Sequence, residues 1–118
     1  MEKAASVTEA RMVAEAVAGS LLVKTALHGG DPNWGRIIAA VGYSGAEVNL
    51  EKASLYFGPH CAYRNGLAVK NVERKLAAQM RKKKVMIRLL LNGGSASCSI
   101  LFCDIGHNYV TLNSDYQT

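Results

Sequence analysis

The stretch from Lys84 to Cys103 constrains the fold of this chain more than any other. Lys84-Val85-Met86-Ile87-Arg88-Leu89-Leu90-Leu91 is a short apolar run rich in branched side chains and reads as a central strand. Asn92-Gly93-Gly94 follows, and asparagine and glycine are the residues that tolerate the backbone of a tight reversal. The chain then returns through Ser95–Cys103, where Ala96, Cys98, Ile100 and Phe102 fall on one face at a spacing of two. Two such strands must pair antiparallel and bury one face. Helical segments elsewhere in the chain have to supply the cover.

Those segments are readable. Ala10, Val13, Ala14, Val17 and Leu21 recur at three and four residues, so a first helix is expected at about 7–22, opened by a capping box at Ser6-Val7-Thr8-Glu9. His28-Gly29-Gly30 ends a helix, and Asp31-Pro32 starts another at about 32–41, with Asp31 as cap and Pro32 in the first turn. Ile37–Val41 is almost wholly apolar, so this second helix is expected to be buried. Val48 and Leu50 alternate with polar neighbours, and Ser54-Leu55-Tyr56-Phe57 leans to strand until Gly58-Pro59. Asn65-Gly66 signals a turn before a short Leu67–Val69 segment. Asn71 is the expected cap of a third helix at about 72–83. The end, 104–118, reads as either a short strand or a helical turn. The order ααββαββ predicts an α+β fold, a mixed or antiparallel sheet with packed helices, in a single domain over 1–118.

Composition excludes several classes. At 118 residues, 49% apolar and 19% charged, the chain has the make-up of a soluble globular domain. It shows no apolar run of membrane-spanning length and no targeting segment, so a cytoplasmic protein is expected, with an organelle matrix left open. Seven of the fourteen basic residues lie between Arg74 and Arg88. No aromatics or nucleic-acid motif interleave them, so a solvated helix end is expected and nucleic acid is not. Cys61, Cys98 and Cys103 form no CxxC, and His28, His60 and His107 stand apart, so no metal site is expected.

Chemistry is sparse. Gly29-Gly30-Asp31-Pro32 before a helix offers free N–H groups to an anion, yet it lacks the Lys-Ser/Thr pair of a P-loop and the glycine spacing of a dinucleotide turn. No nucleophile elbow, HExxH or compact Ser-His-Asp set is present. Trp34 and Arg36 suit either a ligand clamp or a brace, and their place beside an apolar helix favours the brace.

Two stretches together resemble a known family. Lys24-Thr25-Ala26 followed by Gly30-Asp31-Pro32-Asn33-Trp34-Gly35-Arg36-Ile37 resembles the signature of the ornithine acetyltransferase (glutamate N-acetyltransferase, bifunctional arginine biosynthesis) family. Cys103-Asp104, Tyr109-Val110 and the closing Asn113-Ser114-Asp115-Tyr116-Gln117-Thr118 are similar to the end of that family's β chain. The resemblance implies the C-terminal domain of a β chain of N-terminal-nucleophile type. It implies acetyl transfer from N-acetylornithine to glutamate through an acetyl-enzyme on an N-terminal threonine, with acetyl-CoA the donor in some members.

On that resemblance Asn113 and Thr118 are expected to contact substrate, and Lys24, Asp31, Asn33, Trp34 and Arg36 to be structural signature positions. No catalytic residue, metal or cofactor is expected in this chain. Thr8 and Thr25 are not N-termini, and Leu112, Thr111 and Gly106-His107 depart from the family's usual residues. The nucleophile therefore belongs to another segment, and the chain alone is expected to be inactive. The expected partners are the α chain and remaining β-chain segment of the same enzyme, the substrates N-acetylornithine and glutamate, and further copies in an oligomer. The alternative is a non-catalytic binding or assembly domain descended from the same fold.

Overall fold

A computed structural model of the chain describes residues 2–94, 96–103 and 108–114. Six antiparallel strands form one sheet: β1 (Ser54–Phe57), β2 (His60–Arg64), β3 (Leu67–Ala68), β4 (Lys84–Leu91), β5 (Ala96–Cys103) and β6 (Asn108–Ser114), in the order β3-β2-β1-β4-β5-β6. Among the described residues four α-helices accompany it: α1 (Glu2–Gly19), α2 (Leu21–His28), α3 (Trp34–Gly42) and α4 (Glu73–Met80). The α+β expectation holds, with a purely antiparallel sheet.

The expected hairpin is the centre of the sheet. Ile87 pairs with Ile100, Leu89 with Cys98, Val85 with Phe102 and Leu91 with Ala96, and all eight side chains are buried. Adjacent positions alternate outward along both strands. On the buried side α1 lies across β5 and β6 and against α3, while α4 meets β2. Ala10, Val13, Ala14 and Val17 of α1, Ile37, Ala40 and Val41 of α3, and Leu76 and Met80 of α4 join one core with the strands. At the turn Asn92 takes a positive φ of 50°, and its side chain reaches across the chain. Its Oδ1 accepts from the Asn49 N–H at 2.6 Å, and its Nδ2 donates to the Glu47 carbonyl at 3.1 Å.

Several local expectations need correction. The first helix passes straight through Ser6-Val7-Thr8-Glu9 from Glu2, because the preceding alanines favour helix and the capping box has no end to cap. It stops at Gly19, not 22. Ser20 is extended (φ −73°, ψ 122°), and its hydroxyl accepts from the Val23 N–H at 3.2 Å, capping a separate α2. The restart resets the helical period, so Leu21, expected on the apolar face, is 76% exposed, while Val23 and Ala26 turn inward. Asn71 has a positive φ of 63° and does not cap α4, whose N-cap position is Val72 without a side-chain bond. Leu50 belongs to a short 3-10 turn, Leu50–Lys52, capped by Asn49, and not to a strand.

The strand His60–Arg64 was hidden by a bulge. Tyr56 pairs with Cys61 but Leu55 pairs with Tyr63, leaving Ala62 as an extra residue. Cys61, Ala62 and Tyr63 are therefore all buried in succession, which erases the alternation by which a strand is recognised. Asn65 and Gly66 both have positive φ (51° and 83°), as a two-residue type I′ hairpin requires, and they join β2 to β3. The ambiguous C-terminal stretch forms β6 on the edge beside β5; residues 104–107 and 115–118 lie outside the described residues.

Ile87 is fully buried at the middle of the central strand, whereas its neighbour Met86 is 40% exposed. Ile87→Ala is expected to lower the unfolding free energy by about 2–5 kcal/mol, and Met86→Ala by less than about 1 kcal/mol. Urea titration followed by circular dichroism measures both.

Candidate functional site

The junction of α2 and α3 gathers most of the signature residues. Helix α2 ends in a Schellman arrangement: the Gly30 N–H donates to the Leu27 carbonyl at 3.1 Å and the Asp31 N–H to the Ala26 carbonyl at 2.8 Å. Gly30 sits at φ +76°, so its lack of a Cβ is used here. The cap of α3 is Asn33 and not Asp31. Asn33 Oδ1 accepts from the Arg36 N–H at 3.1 Å, and Asn33 Nδ2 donates to Asp31 Oδ2 at 3.2 Å. Asp31 thus orients the capping amide, one step removed from the helix. Pro32 lies before the cap and not in the first turn, since α3 begins at Trp34.

Trp34 is half-buried against the core, its ring centroid 5.6 Å from that of Tyr63 on β2 at an interplanar angle of 36°. The Tyr63 hydroxyl donates to the Leu50 carbonyl at 3.2 Å, continuing the brace into the 3-10 turn. Arg36 Nη1 donates to the Leu22 carbonyl at 2.9 Å, which pins α3 to α2. Lys24 is exposed on α2. Helix α3 is buried on one side, through Ile37, Ala40 and Val41, while Ala39 is exposed, which corrects the expectation of a buried helix with neighbours on most sides. This junction is a three-way brace between α2, α3 and the sheet.

Asn113 lies in β6, its backbone paired opposite Ser97 of β5. Thr118, like His107, lies outside the described residues. Among the described residues no three His, Cys, Asp or Glu side chains group as a metal site, and no helix is long and apolar enough to cross a membrane. Tyr63 and Asn92 are structural partners that sequence reasoning missed. Asn-Gly after an apolar strand signals the reversal at Asn92 but not its bonds to residues 43 and 45 positions away.

Of the cysteines, Cys98 is fully buried at the core, and burial pushes its thiol up to about 12. Cys103 faces the other side of β5 and is half-buried.

These features define an α+β domain with its helices packed on one side of a six-stranded antiparallel sheet and a signature junction that braces them. The chain belongs to the ArgJ family, whose model matches residues 1–118. It is 42% identical over its full length to the arginine biosynthesis bifunctional protein ArgJ of Dehalococcoides mccartyi, covering 29% of that protein. It is 43% identical over 113 residues to the protein of the same name from Archaeoglobus fulgidus, with 93% of this chain and 30% of that protein covered. The crystal structure of the Bacillus halodurans protein of that name is similar with a TM-score of 0.71 at 34% identity, covering 95% of this chain and 48% of that one. The chain thus spans under a third of the length of these two curated relatives.

Two outcomes follow from the junction and the core. Asn33→Ala is expected to cost about 0.5–2 kcal/mol by loss of the cap, and Asp31→Ala less than about 0.5 kcal/mol, read as urea midpoints. At pH 8 a thiol reagent is expected to leave Cys98 unmodified in the folded chain and to modify it in denaturant, as mass spectrometry of the peptides reports, because only the thiolate reacts.

Proposed function

We propose that this chain is a single domain that contributes the C-terminal part of the substrate pocket of a glutamate N-acetyltransferase acting in arginine biosynthesis. The observation that carries the reading is the family match over all 118 residues, joined to the closing motif that holds Asn113 and Thr118. An asparagine amide both donates and accepts, and so suits the amino and carboxylate groups of an amino-acid substrate; a threonine hydroxyl does the same on a smaller scale. In this reading the two residues hold and orient N-acetylornithine, then glutamate, while an N-terminal threonine elsewhere in the assembly accepts the acetyl group and passes it on. The signature junction takes no part in the reaction. It keeps α2, α3 and β2 in fixed relation. The enzyme operates in the cytoplasm, assembled from the α chain, the rest of the β chain and further copies.

Co-expression of this chain with the preceding segment of the Dehalococcoides mccartyi protein tests the reading. Acetyl transfer from N-acetylornithine to glutamate is expected to appear in the pair and not in either part. Asn113→Ala is expected to lower kcat/KM by about ten- to a hundredfold, the loss of one or two hydrogen bonds to a charged substrate. A pair that assembles yet stays inactive, while the intact relative works under the same conditions, refutes the pocket role and favours a binding domain descended from this fold.

A further inference from the structure

The sheet has a second face. Along β4 the outward positions are Lys84, Met86, Arg88 and Leu90, alternating with the buried ones. The register carries this face across the sheet in rows. One row runs Cys61, Tyr56, Arg88, Ser99 and Thr111; the next runs Arg64, Ser54, Leu90 and Ser97. The Arg88 guanidinium lies 4.7 Å from the centre of the Tyr56 ring. A hydrogen bond with the Tyr56 side chain, and then the nearby Cys61, raise the Arg64 pKa from its ordinary value. Between the cations lie Met86, 40% exposed, and half-buried Leu90 and Leu101.

No strand of the sheet contains an Asp or Glu. The chain has nine acidic residues, so their exclusion from the strands leaves Arg64, Lys84 and Arg88 without a carboxylate on any strand beside them. The four helices send their buried side chains to the opposite face.

We propose that this outer face, with no acid on any of its strands, is where the remaining polypeptide of the ArgJ-family enzyme docks, meeting Met86, Leu90 and Leu101 with apolar side chains and Arg64 and Arg88 with carboxylates. The inference rests on the assembly reading above and adds the surface through which assembly occurs. The occupant follows from two observations. This chain spans 29% of one relative and 30% of another, so family members carry a large further body of polypeptide to be placed against it. The charge also selects: taking two guanidiniums out of water is unfavourable unless carboxylates meet them. A second copy of this face would bring further cations and no strand carboxylate to meet them. Single-stranded nucleic acid needs free aromatic platforms, and Tyr56, the one aromatic among the described side chains of this face, is already covered by Arg88.

The test co-expresses this chain with the preceding segment of the Dehalococcoides mccartyi protein and measures the Kd of the purified pair by dilution. Arg64→Glu/Arg88→Glu is compared with Arg11→Glu/Lys70→Glu, an exposed pair off the sheet that changes net charge equally. The face reversal is expected to raise Kd by at least about tenfold and the control by less than about twofold, with Arg64→Gln/Arg88→Gln between them. Unchanged circular dichroism keeps misfolding out of the comparison. Equal effects from both reversals, or none from the face, overturn the docking face and leave assembly standing. Failure of the unaltered pair to associate overturns assembly and this inference together. Self-association in light scattering, or binding of a uridine oligonucleotide, that is abolished by the face reversal assigns the face to a second copy or to RNA and overturns it as well.

Discussion

The pairing of β4 with β5 is the interaction on which everything else in this domain depends. Eight buried side chains sit in four facing pairs from Val85–Phe102 to Leu91–Ala96, and a slip of one residue in either strand would turn a whole set outward. That register gives α1 an apolar floor over β5 and β6, and α1 in turn supports α3. It also fixes the turn at Asn92, whose amide holds the 47–49 segment through two hydrogen bonds. The other side of the sheet is built outward from the same strands: β1 adds to β4, and β2 and β3 extend from β1 through two hairpins. Long-range order therefore originates from one local reversal.

What could be read from sequence and what could not divides along a physical line. Signals that a single residue type settles were sound: the turn at Asn92-Gly93-Gly94, the left-handed Gly30 closing α2, and the turn at Asn65-Gly66. Signals in which several residues compete were not. Ser6 begins a capping box, yet the helix-favouring alanines before it carry α1 straight through, and it is Ser20 that caps a helix, α2. Asp31 and Asn33 are equally good in isolation; the Schellman closure takes the Asp31 N–H and turns the chain, so the amide two residues on is the group that meets the new helix. The strand through Cys61-Ala62-Tyr63 disappeared because a bulge converts alternation into a run of buried residues, and a bulge has no composition of its own.

The same distinction applies to the signature stretch. Its residue types, an aspartate, an asparagine, a tryptophan and an arginine beside a helix start, look like a ligand site. Among themselves they form a chain of contacts: Asp31 to Asn33, Asn33 to the Arg36 N–H, Arg36 to the Leu22 carbonyl, with Trp34 against Tyr63. The Arg36 guanidinium so placed ties α3 to the backbone of α2.

The two faces of the sheet answer different demands. The inner face meets helices from this chain, and its buried strand side chains are apolar, with no charge to compensate. The outer face carries arginine and lysine among serines and leucines, with no acid on any strand. Were this face meant only for solvent, mixed charges would serve it better, since paired signs soften repulsion between neighbouring cations and improve solubility. Arg88 instead lies over the Tyr56 ring, an attraction that does not neutralise its charge. A cation held in place by an aromatic ring has already lost part of its side-chain freedom, so a carboxylate meeting it has less ordering left to oppose binding. At an exposed site such a contact contributes only about 0.5–1 kcal/mol to stability, so the stronger consequence of the proposed docking face is that Arg88 is already placed when a carboxylate arrives.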